Sequence, residues 1–334
     1  MFPRGSRPEL MLRRTICGGV VMASVLAPAI ALGQQVYPSK PIQFVIPGAP
    51  GGITDQLGRL IADRLSGALG QRVIVDNKAG AGGNLAAEFV ARAAPDGYTI
   101  LMGTQGTQVA NQYLYSSLKF DPAKDFVPAH ALISISSVVV ANANQPYRSL
   151  KELVDYAKQH PGKLTFASAG NGTSTHLVAE LFQKVAGVKF VHVPYKGSAP
   201  AISDLLGGQV DLAFDFPVTT VPHINAGKLR ALAVTGPARL ADLPDVPTTT
   251  EAGYPEAQAV AWIGMFLPAG TPAPIVDRIQ RETARVLAEP AVVEAVARFG
   301  GTPFNQGGAA FGTFVQSEHA RWKAIIEQSG ARLD

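Results

Sequence analysis

Cysteine is almost missing from this chain of 334 residues: Cys17 is the only one. It lies in an apolar segment near the N-terminus, so the rest of the chain has no disulfide, thiol nucleophile or cysteine metal site. Stability must come from a packed core. Motifs of nucleotide chemistry are missing too. Gly52, Ile53 and Thr54 stand where a phosphate-binding loop would end in Gly-Lys-Ser/Thr, and no Gly-x-Gly-x-x-Gly opens a helix ahead of a suitably spaced acid. The histidines His130, His160, His176, His192, His223 and His319 form no i, i+4 pair and no His-Glu-x-x-His run, so no metal site is expected. Ser168 follows a strand, but Phe166 occupies the place where a nucleophile elbow needs its first glycine. No apolar run after residue 31 reaches membrane length.

Surplus charge is also scarce. The chain carries 29 basic and 25 acidic residues, and four of the arginines (Arg4, Arg7, Arg13, Arg14) precede or open the apolar run 15–31. That arrangement reads as a cleavable secretory signal, with small-x-small cleavage sites before Leu32 and before Gln34. Arg13-Arg14 matches a twin-arginine signal only in part, which favours the general secretory route. Ile16 before Cys17 is not the small residue that a lipid anchor requires. Removing residues 1–33 leaves 25 basic against 24 acidic residues. A near-neutral chain without a basic stripe argues against a nucleic-acid partner.

What the sequence does have is a recurring unit: an apolar strand, a small polar loop, then an amphipathic helix. The first is the most informative. The strand 42–46 runs into PGAPGGITD (47–55), where Gly48, Gly51 and Gly52 allow a tight turn and Thr54 and Asp55 open a helix with Leu57, Ile61, Leu65 and Leu69 on one face. Unpaired amides at such a helix start suit a carboxylate or phosphate without any arginine. The glycines equally serve a plain strand-to-helix connection.

Similar units follow. A strand over 72–76 leads to NKAGAGG (77–83) and a helix that Asn84 can cap. A strand over 98–102 leads to the polar loop 103–107, and residues 119–127 read as loop. After the strand 137–141, Ser149 and Glu152 form a capping box. The strand 164–168 meets AGNGTS (169–174), and the strand 188–195 meets KGSAP before another helix. Strands over 210–216 and 229–235, an irregular stretch over 239–255 and a strand over 260–267 come next. Three successive helices without strands end the chain.

Single residues stay open at this level. His176 suits either donation to a ligand or a buried cap. Asp215 suits an ammonium, a held water or the cap of the next turn. Trp262 reads as core, Tyr195 places a hydroxyl near a cleft mouth, and Lys196 reads as a solvated turn lysine.

The ordered blocks YPSKPI and PGAPGGITD (37–55), LGQRVIVDNKAGAGG (69–83), PDGYTILMG (95–103), PGKLTFASAGNGTSTHL (161–177), VPYKGSAPAISDLLGGQVDLAFD (193–215), GKLRALAV (227–234), LPDVPTTTEAG (243–253) and FLPAGTP (266–272) together resemble the periplasmic solute receptors of tripartite tricarboxylate transporters, the Bug-type receptors. The resemblance implies an α/β, two-lobed periplasmic-binding-protein fold (Venus flytrap, type II), each lobe a mixed sheet flanked by helices. It implies residues 34–135 plus 248–334 in one lobe and 136–247 in the other.

It further implies a receptor without catalysis, cofactor or membrane anchor, acting as a monomer. Such a receptor binds a dicarboxylate, tricarboxylate, amino-dicarboxylate or aromatic acid and hands it to membrane components of the transporter. By the same carry-over, Ile53, Thr54 and Asp55 face Ser168, Gly170, Gly172, Thr173 and His176 across the cleft, and Thr104, Thr107, Tyr195, Gly197 and Asp215 line the remainder. The competing expectations are an exported α/β enzyme hydrolysing a small acid or ester, and a purely structural protein.

Overall fold

The computed structural model describes residues 37–329 and 332–333. The expected signal segment and both cleavage sites lie outside the described residues. The chain begins with β1 (Ile42–Ile46), α1 (Ile53–Leu69), β2 (Val73–Asn77), α2 (Asn84–Ala91), β3 (Thr99–Thr104), α3 (Asn111–Leu114) and β4 (Phe126–Ser136). It continues with β5 (Val138–Asn142), α4 (Leu150–Gln159), β6 (Thr165–Ser168), α5 (Ser174–Ala186), β7 (Val191–Pro194), α6 (Ser198–Leu206), β8 (Leu212–Asp215), α7 (Pro217–Asn225) and β9 (Leu229–Val234). The last part holds β10 (Val260–Pro268), α8 (Ala273–Leu287), α9 (Pro290–Arg298), β11 (Gly301–Pro303) and α10 (Gly308–Ser329).

These elements build two mixed sheets, a six-stranded one ordered β11-β4-β10-β3-β1-β2 and a five-stranded one ordered β7-β6-β8-β5-β9. In the first, β1 runs parallel to β2 and β3 while β10 is antiparallel to β3 and β4. In the second, β6 runs parallel to β7 and β8 while β5 is antiparallel to β8 and β9. Each sheet therefore has a parallel edge region whose strand ends open into loops, where α/β proteins bind ligands.

Helices cover both faces of the larger sheet. On one face, Leu57, Ile61, Leu65 and Leu69 of α1 pack with Ile42, Phe44 and Ile46 of β1, all within 6% of full burial. The face follows from the three- and four-residue spacing, and each such side chain contributes about 1.5–3 kcal/mol by leaving water. On the other face, Val45 and Leu101 meet Trp262, Phe311 and Trp322.

Several expectations need correction. The stretch 126–136, not recognised as a strand, is the long strand β4 in the larger sheet. Pro128 had disguised it, because proline cannot donate within a ladder. Pro128 lies opposite Phe266 at a shift of register between Met265 and Phe266, an irregularity of the kind that accommodates proline. The three C-terminal helices are not uninterrupted, since β11 lies between α9 and α10 and pairs with β4. Asn84 does not cap α2; Gly83 precedes the helix, and Asn84 Oδ1 instead accepts from Asn111 Nδ2 at 2.5 Å. Ser149 does cap α4, its Oγ accepting from the Glu152 N–H at 3.2 Å.

Two strand connections link the sheets: β4 passes into β5 at Ser137, and β9 leads towards β10 through Thr235. They are tied to one another. The Ser137 N–H donates to Thr235 Oγ1 at 2.9 Å, and the Thr235 N–H donates to Ser137 O at 2.9 Å. The Ala259 N–H then donates to Thr235 O at 2.9 Å. Two backbone bonds and one to the Thr235 hydroxyl thus tie the two crossings together.

Candidate functional site

A cavity of about 230 Å³ lies between the loops of the two sheets. From the larger sheet it takes Pro47, Gly48, Ala49, Gly52, Ile53 and Thr54 after β1, residues 79–83 after β2, Thr104 after β3, and Tyr115. From the smaller sheet it takes Ala169, Gly170, Asn171 and residues 173–175 after β6, residues 194–198 after β7, and Phe216 after β8. Ala261 and Ile263 of β10 also contribute to the lining.

Three helices begin at this cavity. Gly52 precedes α1, Thr173 precedes α5 and Gly197 precedes α6, and none of these three positions makes a side-chain cap bond. The first amides of the helices are thus free of side-chain caps at the helix start, with the partial positive charge of each helix end beside them. Among the described residues, Lys196 is the only charged one in the lining. The arrangement is electropositive through backbone rather than through arginine.

The lobes touch around the cavity. Tyr115 Oη donates to Asn171 O at 3.3 Å. Gly82 (φ 62°) comes so close to the Asn171 carbonyl, and Gly172 (φ 73°) so close to the Asn111 side chain, that a Cβ at either position would overlap its neighbour. Both glycines also hold left-handed backbone, which other residues adopt at a cost. Loops of the two sheets thus meet in close contact beside the cavity.

Of the residues expected at the site, Ile53, Thr54, Thr104, Gly170, Thr173, Tyr195 and Gly197 line the cavity, whereas Asp55, Thr107, Ser168, Gly172, His176 and Asp215 are not among its lining residues. Asp55 is only 4% exposed and folds back on its own turn. Its Oδ2 accepts from the Gly51 N–H at 3.0 Å and from Arg59 Nε at 3.0 Å. Burial works to raise its pKa, but bonds from Arg59, Gly51 and Asn77 outweigh it and hold the carboxyl below its ordinary value. Asp55 thus shapes the loop whose amides reach the cavity. Thr107 does the same for the end of β3: its Oγ1 accepts from the Thr104 N–H at 3.0 Å, and its own N–H donates to Thr104 Oγ1 at 3.2 Å. The polar loop expected at 103–107 is instead the end of β3 followed by a wide helical turn, Gly106–Ala110.

Behind the loop after β6 sits a buried polar stack. Ser168 Oγ lies 2.6 Å from His192 Nε2, and the His192 and His176 rings are stacked at 4.1 Å. The Gly172 N–H donates to His176 Nδ1 at 3.2 Å, which requires a neutral ring with its proton on Nε2. Burial pushes His176 down to about 3, aided by the neighbouring His192, and burial pushes His192 down to about 4.

Asp215 is fully buried; its Oδ1 accepts from Ser198 Oγ at 2.8 Å, the Phe216 N–H at 2.7 Å and Thr219 Oγ1 at 3.1 Å. Burial lifts it to about 6 against those bonds. The Tyr195 hydroxyl, expected at the cleft mouth, donates to Asp204 Oδ2 at 2.7 Å instead. Trp262 is core, as its apolar strand suggests, and its Nε1–H donates to Glu318 Oε2 at 3.0 Å.

Sequence reasoning left residues 79–83, Asn171 and Ser198 out of the site. The glycine-rich run at 77–83 was visible as a loop, but backbone amides carry no side-chain signature that marks them as ligand-facing.

Two mixed sheets joined by paired crossings, with a cavity between their loops, define a two-lobed solute-binding protein. The chain belongs to the tripartite tricarboxylate transporter receptor family, whose model matches residues 57–331. Protein BugT of Bordetella pertussis is 37% identical over 315 residues, covering 94% of this chain and 96% of that one. Among solved structures, Rhodopseudomonas palustris Rpa4515 with adipate has a TM-score of 0.83 at 36% identity, covering 88% of this chain and 98% of the other. MatC (Rpa3494) from Rhodopseudomonas palustris with bound malate has a TM-score of 0.83 at 35% identity, covering 87% and 100%. The matching family is described as a transporter receptor, and none of these matches supports the hydrolase expectation.

Proposed function

We propose that this chain is a periplasmic receptor that closes on a small carboxylate, without transforming it, and delivers it to the membrane components of a tripartite tricarboxylate transporter. The observation that carries this reading is the convergence of the starts of α1, α5 and α6 on one interlobe cavity whose lining has no acid. Helix-start amides hold an anion without a counter-ion, and a closed cleft strengthens the hold by excluding bulk water. The ligand then bridges Ile53 and Thr54 on one lobe and Gly170, Thr173 and Gly197 on the other. Asp55, Thr107, Ser168, Gly172, His176 and Asp215 act by fixing the loops.

In this reading residues 1–33 export the chain and are removed, residues 34–135 and 248–334 form one lobe, and residues 136–247 form the other. Among the described residues no helix is long and apolar enough to cross a membrane. Transport coupling follows from closure: a ligand that touches both lobes favours the closed form, and the membrane partner reads that form.

Calorimetric titration of the purified chain with dicarboxylates of four to eight carbons tests the proposal, with mass analysis of the recovered ligand. Saturable binding of at least one acid, recovered unchanged, supports it. Consumption of the acid, or no binding by any, overturns it.

A further inference from the structure

Two helix starts at the cavity share one buried acid. Asp215 ends β8, and its Oδ1 accepts from Ser198 Oγ at 2.8 Å and from the Phe216 N–H at 2.7 Å. Ser198 opens α6, Phe216 immediately precedes α7, and both line the cavity. Thr219, in the first turn of α7, gives the same oxygen a third bond at 3.1 Å. One carboxyl thus fixes both helix starts, yet it is fully buried and its Oδ2 has no hydrogen-bond partner.

That unpaired oxygen makes the two charge states unequal. An ionised carboxyl leaves charge buried on an oxygen without a donor, whereas a neutral one leaves only an uncharged hydroxyl unpaired. Burial lifts Asp215 to about 6 against its three hydrogen bonds. The groups that bear on its charge are uncharged: the Phe216 amide and the hydroxyls of Ser198 and Thr219. Around it, β5 and β6 carry no ionisable side chain, α5 carries His176, Glu180 and Lys184, α6 carries Asp204 and α7 carries His223. Lys196 stands in the loop before α6. Asp204 is bound to the Tyr195 hydroxyl, and His176 to the Gly172 N–H. An anion in the cavity places a second negative charge across Ser198 and Phe216 from Asp215. A like charge at short range in a water-poor site favours the neutral carboxyl.

We propose that Asp215 is a positioning residue that takes up a proton on Oδ2 when an anion enters the cavity, so that ligand capture is coupled to proton uptake. The proton comes from water and returns there on release. As the neutral acid, Asp215 keeps Oδ1 as acceptor for both helix starts without opposing the ligand's charge. This rests on the anion-binding reading of the same cavity and adds its regulation.

Calorimetry counts the protons. The whole protein is titrated with succinate, glutarate and adipate in MES and in imidazole, two buffers that differ in their heat of ionisation. For the tightest-binding acid, the unaltered chain should take up about half a proton at about pH 6.5, and its affinity should fall about fivefold from about pH 6 to about pH 8.5. Both changes follow from a rise of about one unit in a single group that starts near 6. Asp215→Asn keeps an oxygen for the three donors and cannot ionise. It should lose the uptake, hold a nearly constant affinity over that range and bind at least as tightly as the unaltered chain at the alkaline end. The proton count on the unaltered chain stands whether or not the variant folds. No uptake, or proton release, overturns the proposal and leaves the anion-binding reading in place. The same uptake and pH profile in Asp215→Asn assigns the proton to another group and overturns it too. No binding of any of the three acids overturns both.

Discussion

Gly82 of the larger-sheet lobe meets Asn171 of the smaller-sheet lobe so closely that a methyl group on Gly82 would overlap the Asn171 carbonyl oxygen. The contact between the lobes at this point therefore depends on the absence of a side chain. Gly82→Ala must either shift the seam or hold the lobes apart. Gly162 offers a matched control, because it has a similar φ of 67° and no neighbour within 4 Å of a built Cβ. Both substitutions should cost about 1 kcal/mol of folding stability through backbone strain. Only Gly82→Ala should also weaken ligand binding, by about tenfold or more. Calorimetry and chemical denaturation of the two variants check this; equal affinities would show that the seam does not control closure.

A second prediction concerns Glu318, which is 5% exposed and joins three donors. Its Oε2 accepts from Gln105 Nε2 at 3.1 Å, Trp262 Nε1 at 3.0 Å and Trp322 Nε1 at 3.1 Å. Glu318→Ala leaves all three without an acceptor and should destabilise by about 3 kcal/mol, whereas Glu318→Gln keeps an oxygen and should lose less. Urea denaturation separates the two. Near-equal losses would mean that the donors find other partners.

The third prediction is a pH dependence. His176 and His192 have folded values of about 3 and about 4, below the ordinary 6.5, so their contribution is intact above pH 6.5 and is lost as pH falls through that window. Asp215 works with the opposite sign. Raised from 3.8 to about 6, it adds stability that is full below pH 3.8 and lost as pH rises through 6. Two histidines against one carboxyl leave a net loss of at most about 1.4 kcal/mol per pH unit between pH 6 and 4. Denaturation at several pH values should show this slope, and His176→Gln should flatten it. A slope unchanged by His176→Gln would contradict the assigned neutral ring.

How far the sequence reveals this molecule depends on which groups act. Elements whose apolar residues recur with a clean period, such as α1 with Leu57, Ile61, Leu65 and Leu69, were legible almost to the residue. β4 was not, because Pro128 and His130 break an apolar run that only the bulged pairing with β10 makes tolerable. Thr54, Gly170 and Gly197, which line the cavity, lie in loops that glycine and hydroxyl residues before a helix mark in the sequence, whereas their assignment to a ligand came from the resemblance. Asp55, Thr107, His176 and Asp215, named with them, are not among the cavity's lining residues and hydrogen-bond within their own loops, with Asp215 Oδ2 left buried without a partner. The backbone at 79–83 reaches the cavity without side-chain chemistry, which a residue-by-residue reading cannot detect.

The central claim is that amides from both lobes grip one carboxylate ligand. Hydrogen exchange followed by mass spectrometry, with and without the tightest-binding dicarboxylate, tests it most directly. The account predicts that segments 48–55 and 169–176 gain protection together. Protection of only one segment, or of neither while the acid is bound, would contradict it.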